Sequence, residues 1–221
     1  MTGLVRRATL ITAAGLLAAT AAMAGVPSAS TSIQPAGIAL VGYANPADPT
    51  AFGAAVYTIK DANGNAVPGS TVIINFASCT DIKLCSNVTA LGVTVNCSAK
   101  TASAVTNATG QVTLRVVGAS NSPGGVLGAR RDGPGQLDNA CASVTADGVP
   151  MAPLIVSAFD LTGDTGIGAG DVFVWGKDFV DGDFGRSDYD ANGDVGANDL
   201  FRLGQVFVAG ASNQSCHDCT P

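Results

Sequence analysis

The sequence DLTGDTGIGAGD occupies residues 160–171, and the sequence DYDANGDVGAND occupies residues 188–199, which is 28 residues further along the chain. Each segment is twelve residues long and carries oxygen-bearing side chains at its first, third, fifth and twelfth positions. A loop with this spacing surrounds a hard cation such as Ca²⁺ with about six or seven oxygen atoms, one of them the backbone carbonyl of the seventh residue. The chain is therefore predicted to carry two calcium-binding loops.

Each loop leads into a segment with helical periodicity. Apolar residues recur at i, i+3 or i+4, and i+7 in residues 171–179 and again in residues 199–207. Both segments are predicted to be amphipathic helices in spite of a central glycine. No helix is predicted before either loop. The eighth residues, Ile167 and Val195, are predicted to join the two loops through a short apolar contact.

A loop followed by a helix, present twice and with Asp in place of Glu at the twelfth position, is similar to the dockerin module with its EF-hand-type loops. The resemblance covers residues 160 to about 208. It implies a small α-helical module that binds two Ca²⁺ ions and a cohesin module on a scaffold or cell surface. The ligands that the resemblance implies are Asp160, Thr162, Asp164, Gly166 and Asp171, followed by Asp188, Asp190, Asn192, Asp194 and Asp199.

The first loop departs from this pattern more than the second. Thr165 stands where a glycine is expected at the sharp sixth-place turn, and Thr162 offers a neutral hydroxyl at the third place. The second site is therefore expected to bind Ca²⁺ more tightly. The tenth and eleventh places, 169–170 and 197–198, lack the usual hydroxyl pair that helps dockerins select a cohesin, which leaves the identity of the partner open.

Short β-rich runs separated by turn residues fill most of residues 33–159. Val, Ile and Thr dominate the runs, and Gly, Pro, Asn and Asp stand between them, which predicts an antiparallel β-sandwich. Asp61 to Asn65 is predicted to form a hairpin turn, because the Asn-Gly pair tolerates positive φ. The predicted strands are 37–41, 54–59, 70–76, 92–97, 101–105, 111–117, 142–146 and 153–158.

The segments VYTIKDANGNAVPGSTVIINF at residues 56–76 and TNATGQVTL at residues 106–114 resemble the bacterial immunoglobulin-like repeats of the invasin and intimin adhesins. The resemblance implies an immunoglobulin-like sandwich over residues 25–159. No linker separates it from the calcium module at residues 160–210, so the two modules are predicted to pack as one rigid unit. A cysteine-bearing insertion and a Gly/Pro-rich excursion from Asn121 to Asp138 depart from the repeat pattern and leave the detailed topology open.

The segment that precedes Gly25 has the order of a secretory signal peptide. Arg6 and Arg7 come before an apolar run of about 15 residues, and small residues follow up to Ala24. The run is shorter than the roughly 20 residues that span a bilayer. Cleavage after Ala24, no membrane span, and an extracellular or cell-surface location in a bacterium are expected.

The charge of the chain favours cations over nucleic acids. Glutamate is absent, so all 17 acidic residues are Asp, and ten of them lie between Asp160 and Asp199. The net charge is −6, and loss of Arg6 and Arg7 with the leader would make it −8. A nucleic-acid partner would require a basic surface.

The six cysteines are expected to form disulfides, as is usual in an exported chain. Several pairings are possible. The predicted set is Cys79 with Cys85, Cys97 with Cys141, and Cys216 with Cys219, because it needs only local or strand-to-strand closures. The last pair, in the tail of residues 211–221, is predicted to be a small disulfide and not a zinc or redox site.

No catalytic set is evident. His217, in the tail, is the only histidine, and a glycosidase without glutamate would need aspartates that the loops already use. The sequence thus predicts a secreted, non-catalytic calcium-binding protein for extracellular attachment or surface assembly. The alternative is a dockerin-type targeting subunit that binds a cohesin scaffold in a polysaccharide-degrading assembly. A cell-surface protein or a polysaccharide are further possible partners, and an enzyme acting through the sandwich surface is the third hypothesis.

Overall fold

The computed structural model describes residues 25–41, 54–79, 82–85, 92–120, 140–164, 166–182 and 186–208. The predicted leader, the excursion from Asn121 to Asp138, Thr165 and the tail with Cys216 and Cys219 lie outside these residues. The described part is mainly β, with two helices near its C-terminal end. The strands are β1 (Gly37–Leu40), β2 (Ala54–Thr58), β3 (Thr71–Asn75), β4 (Ile82–Leu84), β5 (Thr94–Asn96), β6 (Thr101–Val105), β7 (Gln111–Arg115), β8 (Gly118–Ser120), β9 (Ser143–Ala146), β10 (Val149–Pro150) and β11 (Ile155–Ala158), and the helices are α1 (Ala169–Asp181) and α2 (Ala197–Val208).

The largest sheet is antiparallel and has the strand order β10-β9-β3-β6-β5. Two further antiparallel pairs are β2–β7 and β4–β8. In β3 and β7, buried residues such as Val72, Ile74, Val112 and Leu114 alternate with more exposed ones, which directs one face of each of these two strands into a common core. The predicted hairpin turn is also present, with Gly64 at φ +83° and its N–H donating to the Asp61 carbonyl.

The prediction of a wholly antiparallel arrangement is wrong for one pair, because β1 and β11 run parallel. Parallel strands need a long connection. Here the strands between β1 and β11 supply it. The predicted length of the strand at residues 111–117 is also wrong. The strand ends at Arg115, and the chain then forms β8, which pairs with β4 and not with β2.

A disulfide joins Cys79 to Cys141, so the predicted pairs Cys79–Cys85 and Cys97–Cys141 are wrong. The reason is the register of the sheet. Cys79 follows β3 and Cys141 precedes β9, and these neighbouring strands place Asn75 opposite Ser143 at the same end. Cys85 and Cys97 are disulfide-bonded as well.

A second apolar core crosses the predicted boundary between residues 159 and 160. It combines residues from the β-rich part with residues of both loops and both helices, namely Ala39, Val41, Cys85, Val117, Phe159, Leu161, Ile167, Val174, Trp175, Tyr189, Val195, Leu203 and Val206. Because the two parts share this core, the C-terminal third packs directly against the end of the β-structure. Among the described residues, no helix is long and apolar enough to cross a membrane.

Candidate metal centres

Loop 1, residues 160–171, gathers three aspartates. Carboxylate oxygens of Asp160, Asp164 and Asp171 lie within 4.8 Å of one another. Asp160 and Asp171 are each only 1% exposed, whereas Asp164 faces solvent. The Thr162 hydroxyl donates to Asp171 Oδ1 at 3.1 Å, so a third-place oxygen also lies at the cluster. The half-buried Gly166 follows Asp164 and donates its N–H to Asp164 Oδ1 at 3.3 Å.

Loop 2, residues 188–199, gathers its aspartates in the same way. Carboxylate oxygens of Asp188, Asp190 and Asp199 lie within 4.8 Å of one another, and Asp188 and Asp199 are almost fully buried. Asn192 and Asp194 lie on the exposed outer part of the loop, where the Asp194 N–H donates to Asn192 Oδ1 at 2.8 Å. The structure thus brings together the first, third and twelfth residues of loop 2, and the first, fifth and twelfth of loop 1.

The hydrogen bonds of the twelfth residue repeat between the loops. Asp171 Oδ1 accepts from the N–H groups of Leu161 at 2.7 Å and Thr162 at 2.8 Å, and Asp171 Oδ2 accepts from Gly168 at 2.6 Å. The corresponding bonds to Asp199 come from Tyr189 at 2.7 Å, Asp190 at 3.2 Å and Gly196 at 2.9 Å. Each of these three donors in loop 2, like the acceptor, lies 28 residues after its counterpart in loop 1, so the twelfth residue closes both loops in the same way.

In each loop, a glycine with positive φ donates its backbone N–H to the side chain of the first aspartate. In loop 2, Gly193 adopts φ +95° and its N–H donates to Asp188 Oδ2 at 2.8 Å. In loop 1, Gly163 adopts φ +69° and its N–H donates to Asp160 Oδ1 at 2.6 Å. Both conformations lie in the left-handed region that glycine adopts without steric cost.

Crowding of carboxylates in partly desolvated surroundings disfavours their charged form. Burial, helped by repulsion from Asp199 and Asp190, raises the pKa of Asp188 to about 6. Burial is also the main reason that the pKa of Asp199 is raised. A divalent cation placed between these oxygens would reverse both effects, because an opposite charge favours the ionised carboxylate.

A cavity of about 340 Å³ lies beside loop 2. Asp188 and Asp190 line it on one side, and Gly37 and Ser157 of the parallel strand pair line it on the other. Two aspartates of the second cluster therefore border this cavity.

Several contacts seat the loops on the β-structure, and sequence reasoning missed them. Lys83 Nζ of β4 donates to the Gly163 carbonyl at 2.8 Å, and the Ser120 N–H of β8 donates to the Asp160 carbonyl at 2.8 Å. On the other side, the Ala158 N–H donates to the Arg186 carbonyl just before loop 2. Strands β4 and β8 were themselves missed, because three-residue strands are too short to display alternation.

A buried ionic cluster between α1 and loop 2 was also missed. Asp178 of α1 accepts two hydrogen bonds from Arg186, from Nε at 3.0 Å and from Nη2 at 2.8 Å, and a third from the Ser187 hydroxyl. All three residues are at most 2% exposed. One sequence signal was present, since Asp178 lies seven residues after Asp171 and interrupts the apolar face of the helix.

Tyr189 lies at the centre of this region. Its ring stacks on Phe159 with 4.4 Å between ring centroids, which joins the segment before loop 1 to loop 2. Burial, followed by the carboxylates of Asp178, Asp171 and Asp199, raises the pKa of Tyr189 well above its ordinary value. The phenol therefore stays neutral in ordinary buffers.

The outer faces of the two helices expose apolar side chains. Phe173 is 76% exposed and Phe201 is 63% exposed. Exposed large apolar residues occur in four pairs whose members occupy equivalent places after the two loops: Val172 and Leu200, Phe173 and Phe201, Phe179 and Phe207, and Val180 and Val208. The duplication thus extends to the solvent-facing surface.

Comparison of the chain with protein-family models, with curated proteins and with solved structures gave no match in any of the three. The function of the two clusters therefore has to be argued from their own geometry. Their donor atoms are all oxygen and mostly carboxylate, which suits a hard divalent cation and not a soft one.

Proposed function

We propose that this chain is a secreted, non-catalytic calcium-binding protein that acts in extracellular attachment or surface assembly. In this proposal, an immunoglobulin-like β-sandwich carries a dockerin-like module that binds two Ca²⁺ ions. The main support is the pair of aspartate clusters, since each has two buried carboxylates and each is held by the same hydrogen bonds at equivalent places in its loop.

Calcium is the cation that fits this donor set best. Ca²⁺ accepts six to eight oxygen ligands at roughly 2.3–2.6 Å in flexible geometry, whereas Mg²⁺ demands a regular octahedron and retains its waters. Carboxylate oxygens within 4.8 Å of one another can approach a common ion with small movements. Gly168 and Gly196 offer no side-chain oxygen at the ninth place, so a water would complete each site.

The hydrogen bonds of the buried aspartates favour a role in attachment over a role in catalysis. The buried aspartates accept backbone N–H groups and hold the loops together, so they serve as structural ligands. The Cys79–Cys141 disulfide is compatible with an oxidising, extracellular compartment. The loops bring buried carboxylates close together, so bound ions would contribute to the folding free energy of the chain.

Calorimetric titration of the chain without residues 1–24 tests the proposal. We expect two calcium sites, with loop 2 binding more tightly. Asp160→Ala should remove the weaker site and Asp188→Ala the tighter one. Asp181→Ala is the matched control, because Asp181 is exposed on α1 and pairs only weakly with Lys177, at 3.9 Å. Absence of calcium uptake by the wild type at millimolar concentration would refute the proposal.

The second candidate is a dockerin-type targeting subunit that binds a cohesin scaffold within a polysaccharide-degrading assembly. The four duplicated pairs of exposed apolar residues on α1 and α2 favour it, because so many large apolar side chains facing solvent on two helices are typical of an interaction site. A calcium-dependent pull-down with cohesin modules would distinguish it from the first. Phe173→Ser with Phe201→Ser should abolish capture, whereas Val105→Ser, a change at an exposed valine of β6, should not.

A further inference from the structure

The buried face of α1 has an aspartate at each end. Its buried residues are Asp171, Val174, Trp175 and Asp178, which follow the spacing i, i+3, i+4 and i+7. Asp171 closes loop 1 through the backbone N–H groups described above. Asp178, two helical turns later, binds the segment that leads into loop 2. One face of one helix therefore contacts loop 1 and the two residues that directly precede loop 2.

The contact between Asp178 and the residues just before loop 2 is buried and uses both carboxylate oxygens. Arg186 binds both carboxylate oxygens of Asp178, and the side chains of the pair are 1% and 3% exposed. Ser187, which donates to the same carboxylate, directly precedes Asp188, the first residue of loop 2. The position of α1 thus fixes where Asp188 begins the loop.

This cluster departs from the internal repeat. Val206 of α2 occupies the place equivalent to Asp178, and Ala158 occupies the place equivalent to Arg186. Val206 is 1% exposed, so an apolar residue fills the equivalent place without difficulty. A buried ion pair is often no more stabilising than well-packed apolar residues of similar size. Stability alone therefore does not account for the pair in α1.

We infer that Asp178 is a positioning residue that couples the two calcium sites. Calcium at loop 1 orders Asp171 and with it α1, and Asp178 then holds Arg186 and Ser187 so that loop 2 is preformed for its ion. This inference rests on the proposed function. Because coupling between two binding equilibria is reciprocal, occupancy of loop 2 strengthens loop 1 by the same factor.

Stepwise calcium constants of the chain without residues 1–24, measured by calorimetry, test the coupling. Asp178→Val with Arg186→Met removes both charges together, which avoids leaving one of them buried alone. Asp171→Asn removes site 1 and reports the affinity of loop 2 by itself. Asp181→Asn is the matched control, an exposed aspartate three residues further along α1.

In the wild type we expect occupancy of one site to strengthen the other about tenfold, within the usual range for coupled sites. Asp171→Asn should therefore weaken loop 2 about tenfold. The Asp178→Val/Arg186→Met variant should still fold and bind two ions, but independently, and adding Asp171→Asn to it should leave loop 2 unchanged. Asp181→Asn should keep the full coupling.

Each result has a distinct meaning. No calcium binding by the wild type would refute the proposed function together with the coupling. Two independent sites in the wild type, or undiminished coupling in the folded double variant, would refute the coupling alone. If the double variant does not fold, Ser187→Ala replaces it, because it keeps the ion pair and removes only the bond next to Asp188. Coupling equal to that of the wild type in Ser187→Ala would then overturn the inference.

Discussion

Replacement of Gly163 by alanine should destabilise the protein more than its backbone conformation alone would require. Gly163 has φ +69°, and an alanine there costs about 1–2 kcal/mol. A Cβ at this position would also overlap the backbone carbonyl oxygen of Ser120 in β8. Forcing extra atoms into a close-packed contact costs about 1–3 kcal/mol more. The expected loss in the free energy of unfolding is therefore about 2–5 kcal/mol.

Gly64→Ala is the matched control for this change. Gly64 has a similar φ of +83°, but an added Cβ would meet no atom within 4 Å. Urea unfolding in the presence of a calcium chelator gives both free energies, provided that the slopes agree. The loss of unfolding free energy should be about 1–3 kcal/mol larger for Gly163→Ala than for Gly64→Ala, and only Gly163→Ala should weaken calcium binding at loop 1. Equal losses of unfolding free energy in the two variants would refute the close contact between loop 1 and β8.

Three further results are expected. Removal of the Cys79–Cys141 bond by a double change to alanine should lower stability by about 4 kcal/mol in urea unfolding, because the bond spans 62 residues. In the presence of a calcium chelator, protonation of Asp188 stabilises the folded state, because folding raises the pKa of this carboxyl. This contribution is complete below pH about 4 and is lost as the pH rises through about 6, so Asp188→Asn should flatten the stability profile over that interval. Calcium at 100 times its dissociation constant should raise the free energy of unfolding by about 2.7 kcal/mol per site, which thermal scans with and without chelator would measure.

The parts of the fold that follow local patterns could be predicted from the sequence. The Asn63-Gly64 turn, the strand around Ile74 and the two helices after the loops are present because alternation, helical periodicity and turn chemistry act over a few residues. The spacing of Asp188, Asp190 and Asp199 likewise predicted residues that the structure brings together.

Contacts that depend on distant parts of the chain could not be predicted in this way. The Cys79–Cys141 bond depends on β3 lying beside β9, and the parallel pairing of β1 with β11 depends on the strands between them. The Asp178–Arg186 pair requires the path of the chain from α1 into loop 2. A charged residue at a helical core position was the one local indication, because a buried carboxylate needs a partner.

The contacts around the two loops form a continuous circuit through the end of the β-structure. Ser120 of β8 binds the carbonyl of Asp160, and Asp171 closes loop 1 and begins the buried face of α1. Asp178 at the other end of that face binds Arg186, whose carbonyl accepts from Ala158 of β11, two residues before Asp160. Under the proposed function, an ion in either loop therefore restrains the strands as well as its own loop. Calcium would then stabilise the C-terminal third and the end of the β-structure as one unit.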